Sequence, residues 1–166
     1  GLRDHSIRGA RWSEIDFIKC TWLIPGYRMK SGKEHLIHLP NQAIKKLNQL
    51  KPNTFRDEES FIFSANTKAG YIAENTLRLA LHRLGFKVTV HGFRSLMTDV
   101  LNENGFNRDA IERQLDHQEH NHVRRAYLRS DFWGERAEMI QWYANWCSNE
   151  SGSAEYPQLR IVKPNR

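Results

Sequence analysis

Apolar positions follow two different periods along this chain. Between residues 17 and 39 the pattern is β-like. Phe17 to Ile24 is rich in aromatic and β-branched types. Tyr27 to Lys30 and His35 to Leu39 then flank Ser31-Gly32-Lys33, a short turn containing glycine, which is a hairpin signature. Residues 17–39 therefore predict a three-stranded antiparallel sheet. On either side the period lengthens to that of a helix. Ile7, Ala10 and Arg11 are helically spaced before Trp12 breaks the pattern, and Ala43, Ile44, Leu47 and Leu50 predict a helix over 41–50. Lys51 to Ser60 is polar, holds Pro52 and reads as a loop, and Phe61-Ile62-Phe63 is a short buried piece.

The helical period then dominates. Leu77, Ala80, Leu81 and Leu84 predict a helix over 73–84, with Gly85 placed to stop it. Phe93, Leu96, Met97, Val100 and Leu101 form a core-facing stripe that closes near Gly105, and a helix beginning near 108 should bury Ile111 and Leu115. Residues 121–129 read as a basic helix, and 132–147 as a final helix carrying Met139, Ile140, Tyr143, Trp146 and Cys147. The sum is an α+β fold, mainly helical, with one small antiparallel sheet. Residues 1–148 read as one domain that begins part-way into its fold, with at least one helix expected before it. Residues 149–166 read as a polar tail with a candidate short strand at 159–162.

Composition narrows the function classes. The chain of 166 residues is long enough for one core. It has no run of the roughly 20 apolar residues that a membrane span needs, and no signal-peptide pattern, so a membrane partner is not expected. Cys20 and Cys147 are isolated, which argues against a disulfide framework and for a cytoplasmic home. Lys and Arg outnumber Asp and Glu by 25 to 19, a net +6 that suits a polyanionic partner such as nucleic acid.

Several residues could do chemistry. His91 and Arg94, three apart at the start of a helix, share a face and could hold a phosphate. Tyr127 lies among Arg124, Arg125 and Arg129. A phenol is only about 0.1% ionised at neutral pH, so as a nucleophile it needs cations or a base nearby. Its bland reading is a surface tyrosine on a DNA-facing helix. Tyr27, Tyr71, Tyr143 and Tyr156 lack its spacing and its basic surroundings. Lys30 at a hairpin tip and Arg3 near the start are unremarkable alone. A competing reading uses His117, Glu119, His120 and His122 as a metal cluster for a nuclease or hydrolase. No HExxH or Cys–His spacing supports it.

Order and spacing decide between these readings. Arg3 with the run 8–16, then Arg28-Met29-Lys30-Ser31-Gly32, His91-Gly92-Phe93-Arg94, Leu115-Asp116-His117 and Ala126-Tyr127 together resemble the tyrosine recombinases, above all phage and genomic-island integrases. The likeness runs from Arg3 to Trp146. It implies a helical catalytic domain with a small sheet carrying the lysine hairpin, and it implies site-specific DNA integration or excision without metal or cofactor. Arg3 and Arg94 would bind the scissile phosphate, and Tyr127 would form a 3′-phosphotyrosyl bond. Lys30 would protonate the leaving 5′-oxygen, His91 would act as acid and base, and His117 would hydrogen-bond the phosphate. Arg28, Lys33, Arg124, Arg125 and Arg129 are the candidate DNA-binding bases. The partners implied are double-stranded attachment sites, with a homotetramer on DNA for a full-length protein and a monomer for this chain alone, in a bacterial cytoplasm. Two positions depart from the family pattern: Ser6 where many relatives are acidic, and His38 where proline is frequent. A DNA-binding module that has lost catalysis is the alternative of another class.

Overall fold

The computed structural model describes residues 2–117 and 131–148. The predicted basic helix over 121–129 and the tail over 149–166 lie outside them. The sheet is small and antiparallel, in the order β1 (Ile15–Asp16), β2 (Thr21–Ile24), β3 (His35–His38). Its register pairs Ile15 with Trp22, Trp22 with Ile37, and Ile24 with His35. Those side chains are buried, while the cross-strand pair Leu23–Leu36 faces out, as the two-residue period of a strand requires.

Two of the three predicted strands form, β2 as the second half of 17–24 and β3 within 35–39, while the third strand is Ile15–Asp16 and not 27–30. The run from Phe17 to Cys20 is a turn, because the Asp16 carboxylate captures the backbone N–H groups of Ile18 (3.0 Å) and Lys19 (2.8 Å). Tyr27 to Lys30 is not a strand either. Gly26–Arg28 forms a 3-10 turn, with Arg28 N–H bonded to Pro25 O (3.0 Å) and Met29 N–H to Gly26 O (2.9 Å). A Cβ on Gly26 would lie 2.5 Å from Gly32 O, so glycine is what lets the β2–β3 loop fold onto itself.

Among the described residues six helices accompany the sheet: α1 (Asp4–Arg8), α2 (Asn41–Thr54), α3 (Thr76–Arg83), α4 (Val90–Glu103), α5 (Arg108–Gln114) and α6 (Trp133–Ser148). Helix α2 continues through Pro52 to Thr54, where a loop was predicted. The proline falls in the last turn, so the amide it lacks deprives only Asn48 O, which lies on an exposed residue where water substitutes. The Thr89 hydroxyl caps α4 through Gly92 N–H (3.0 Å), and Asn107 caps α5 through Asp109 N–H (3.0 Å). Gly85 and Gly105, at φ +86° and +76°, close α3 and α4 as the sequence predicts.

The predicted stripes are only partly buried. In α4, Met97, Val100 and Leu101 enter the core, but Phe93 and Leu96 remain 47% and 42% exposed, and the inward position of the first turns belongs to Arg94. In α3, Leu77 and Leu81 are half-buried and Leu84 is 71% exposed. Two apolar clusters result. One surrounds the sheet through Trp12, Trp22, Ile24, Ile37 and Ile62, and the other joins α4, α5 and α6 through Met97, Leu101, Ile111, Leu115 and Met139. An apolar cleft of about 430 Å³ runs between them, lined among others by Leu2, Ile7, Leu47, Met97, Ile140 and Tyr143. No described helix is long and apolar enough to cross a membrane.

Arg136 of α6 links the two clusters. It is 1% exposed and donates from Nε to Gln114 Oε1 (2.9 Å), from Nη2 to Leu36 O (2.7 Å) and from Nη1 to Asp131 Oδ2 (3.2 Å). Arg136→Ala leaves the buried Gln114 Oε1 and the part-buried Leu36 O without this donor and should lower stability by about 3 kcal/mol. Urea unfolding measures this; a loss under about 1 kcal/mol would show that the link is dispensable.

Candidate active site

Four segments distant in sequence meet around the C-terminal end of α5. Helix α5 ends at Gln114, and Asp116 then adopts a left-handed conformation (φ +52°) that turns the chain. The turn exposes Leu115 O to a donor from outside the helix. The Arg94 guanidinium takes that place, donating from Nη2 to Leu115 O. Arg94 is 5% exposed, and burial is the main cause that lowers its pKa. The charge of Arg3 lowers it further, while Asp116 and Glu112 oppose the shift. Arg3, at the N-cap of α1, is thus within electrostatic reach of Arg94. An arginine stays charged under such a shift, so the two cations feel each other, with the Asp116 and Glu112 charges acting on Arg94 in the opposite sense.

His117 follows directly. Its Nδ1 lies 2.5 Å from Glu112 Oε2, one turn back on α5, which fixes the ring plane and turns Nε2 away from the helix. Its side chain is 39% exposed, open to an incoming ligand. His91, in the first turn of α4, is exposed. Residues 91 and 94 therefore do not present themselves equally: the imidazole faces solvent and the guanidinium faces the α5 turn.

The β2–β3 loop supplies the fourth segment. Lys30 and Lys33 are exposed on it. Arg28 is turned inward, its Nη2 paired with Glu14, whose Oε2 also accepts Trp22 Nε1–H (2.9 Å). The loop is tied to the site on two sides. Ser6 Oγ donates to Arg28 O (3.1 Å), and Ser31 Oγ donates to Asp116 Oδ2 (3.1 Å). Ser6 thus accounts for itself: it is 1% exposed, three residues beyond Arg3, and a hydroxyl reaches the loop carbonyl where a carboxylate has no proton to donate. His38 also has a packing role, lying tilted against Trp133 at 3.7 Å between ring centres, with Nε2 3.1 Å from Trp133 O.

Of the residues singled out from sequence, Arg3, Lys30, Arg94 and His117 share this neighbourhood, with His91 on the adjoining face of α4. Tyr127, Arg124, Arg125 and Arg129 lie outside the described residues, as do Glu119, His120 and His122. Among the described residues no three His, Cys, Asp or Glu side chains are grouped to hold a metal. Among the described tyrosines, Tyr143 has its phenol pushed well above its ordinary value by burial and then by Cys147, the wrong direction for a nucleophile. Sequence reasoning assigned no role to Glu112, Asp116, Ser31 or His35. Glu112 precedes His117 by five residues and becomes visible only once the end of α5 is known.

Such a fold, with two interacting arginines beside a lysine-bearing loop, defines a class, and comparison identifies it. The phage integrase family model matches residues 1–133, and the chain belongs to that family, the tyrosine recombinases. It is 42% identical to prophage integrase IntA of Escherichia coli K12 over 93% of this chain and 38% of that protein. It is 38% identical to the integrase of Enterobacteria phage P4 over 98% of this chain and 40% of that protein. The chain thus spans about two fifths of the length of these relatives. The integrase from mycobacterium phage Brujita shares the fold, with a TM-score of 0.62 at 18% identity, covering 85% of this chain and 46% of that one.

His35 gives this region a pH dependence. It is buried on β3 with Nε2 3.1 Å from Gln114 O, and burial lowers its pKa below 6.5. Between the folded and unfolded values the unfolded chain holds the extra proton, so stability rises with pH there. The contribution is complete above about pH 6.5 and is lost as pH falls toward the folded value. His35→Asn should flatten the acid limb of a Tm-versus-pH curve between about pH 7 and pH 5. An unchanged slope would assign that limb to other groups, His38 first among them, since burial lowers its pKa too.

Proposed function

We propose that this chain is the catalytic part of a site-specific DNA recombinase that cuts and rejoins strands through Tyr127. The observation that carries this reading is the convergence of Arg3, Arg94, His117 and the Lys30 loop on the turn that ends α5. A phosphodiester has no leaving group that departs easily and gathers negative charge in its pentavalent transition state. Two guanidinium groups suit its non-bridging oxygens, and a site formed before DNA arrives avoids reorganisation during the reaction.

In this reading Tyr127 Oη attacks phosphorus, the bond from phosphorus to the 5′-oxygen breaks, and Lys30 gives that oxygen its proton. A 3′-phosphotyrosyl ester and a free 5′-hydroxyl result. His91 receives the phenolic proton, and His117 donates a hydrogen bond to the phosphate. The 5′-hydroxyl of a partner strand then attacks the ester, the bond from phosphorus to Tyr127 breaks, and the phenol recovers its proton. One phosphoester is exchanged for another at each step, so neither nucleotide hydrolysis nor a metal is needed for balance. Lys33 is placed to meet the DNA backbone, with Arg124, Arg125 and Arg129 proposed to join it, while Arg28 serves the loop's own fold. On paired attachment sites the working unit is a homotetramer, acting in integration or excision within a bacterial cytoplasm.

The test uses a protein of the relatives' length that carries this chain, with and without Tyr127→Phe. Each is incubated in EDTA with nicked DNA bearing an attachment site located by footprinting, then quenched in SDS. A covalent protein–DNA band from the parent and none from the variant is the expected result. Footprinted binding with no adduct from either would make the chain a binding module. Cleavage that returns only with added divalent metal would favour the histidine cluster.

A further inference from the structure

Asp116 is an unexpected residue where it stands. The family reading makes this turn a place for phosphate, yet a carboxylate lies within it. Its backbone is left-handed at φ +52°, a conformation that glycine adopts without strain and that other residues adopt at a cost. Asp tolerates the left-handed region better than most residues, yet glycine or asparagine would serve the turn without a charge, and like-charge repulsion with DNA is a reason against a carboxylate. Its side chain must therefore contribute something.

Its hydrogen bond shows what that is. Asp116 Oδ2 accepts from the hydroxyl of Ser31, the residue directly after Lys30 and 85 positions away in sequence. Part of the loop is held by itself, since Gly32 N–H bonds Met29 O (3.1 Å) and Gly26 packs on Gly32, while Arg28 ties it outward to Glu14, ahead of β1. Its position relative to the phosphate depends on the contacts that leave it; Arg28 to Glu14 fixes its start, and each side of the proposed site has a contact of its own. On the Arg3 side that contact is Ser6 to Arg28 O, and on the Arg94–His117 side it is Ser31 to Asp116. The Asp116 charge also acts on Arg94 and on His35, so one carboxylate is coupled to the phosphate-binding arginine and to the strand that leaves the lysine loop.

We propose that Asp116 is a positioning residue for Lys30, holding the lysine loop through the Ser31 hydroxyl so that the ammonium group meets the leaving 5′-oxygen. This rests on the reading of Lys30 as the proton donor. The role is specific to one step: it concerns delivery of a proton and leaves phosphate binding and nucleophilic attack to other groups.

The step can be isolated chemically. An alkoxide is a poor leaving group and needs the proton, whereas a thiolate, whose acid has a pKa of about 8.5, leaves without one. The experiment compares cleavage by the relatives'-length protein of attachment-site DNA with an ordinary scissile phosphate and of the same DNA with sulfur in place of the bridging 5′-oxygen. Ser31→Ala, which removes the donor, should slow the ordinary substrate by about tenfold, the effect of one lost hydrogen bond to a charged group, and Asp116→Asn, which leaves the hydroxyl only a neutral acceptor, should slow it about threefold. Both should cleave the sulfur substrate at the parent's rate, and Ser31→Thr, which keeps the hydroxyl, should act like the parent on both. Equal slowing on the two substrates would make the contact merely structural and overturn the proposal, as would no slowing on either. Ser31→Ala alters an exposed loop and keeps the test decisive if Asp116→Asn does not fold. Lys30→Ala is the reference. If its defect persists on the sulfur substrate, Lys30 is not the proton donor, and the proposal falls with that reading instead of through the clasp.

Discussion

The buried Arg136 is the constraint on which the arrangement depends. A guanidinium removed from water must keep its hydrogen bonds, and this one finds them on the end of α5, on β3 and on Asp131. Apolar contacts alone leave the sheet cluster and the helical cluster separated over much of their length by an open cleft. Hydrophobic attraction is non-directional and would tolerate a shift of one cluster against the other. Three directed bonds from a single planar group do not tolerate it. They fix the height of β3 against the last residue of α5, and with it the lysine loop against the turn that holds Arg94. His35, bonded to Gln114 O next to the Gln114 side chain that Arg136 grips, closes the same joint from the strand side.

Much of this was legible in the sequence, and the parts that were not share a physical cause. Local signals succeeded. Gly85 and Gly105 end helices where they predict, Ile111 and Leu115 are buried, and a three-stranded antiparallel sheet forms, with two of its strands inside the expected range. The strand boundaries failed because side chains and glycine outcompeted β propensity: Asp16 captured two amides, and Gly26 allowed a compact loop where alternation suggested a strand. Pro52 misled because its cost depends on which carbonyl loses a donor, and Asn48 lies on an exposed residue. The stripe at Phe93 and Leu96 misled because periodicity gives the width of an apolar face and not which edge of it meets a neighbour.

The site divides in the same way. The spacing of the motifs singled out the cationic residues of the proposed site, since each motif is carried by a short run of sequence. The acidic and neutral groups that hold them were invisible, because each works across a long sequence separation or around the end of a helix. Ser31 and Asp116 are 85 residues apart, and Ser6 and Arg28 are 22 apart. No periodicity reports such a pair. Arg28 illustrates the opposite error, since a basic residue beside a catalytic motif looks outward-facing until Glu14 is found opposite it.

That division has a chemical logic. A site made only of cations would repel itself before DNA arrives, as the effect of Arg3 on Arg94 already indicates. Glu112 beside His117, Asp116 beside Ser31 and Glu14 beside Arg28 moderate that repulsion while leaving Lys30 and Lys33 exposed. Each of these carboxylates has a hydrogen-bonding partner of its own, so none needs to turn toward a phosphate that it would repel. The cations are therefore held in place before binding by groups that need not move during it. Preorganisation of this kind favours the charge that develops in the transition state over water, whose dipoles must reorient each time. The acidic residues are thus as much a part of the proposed phosphate site as the basic ones that the sequence advertises.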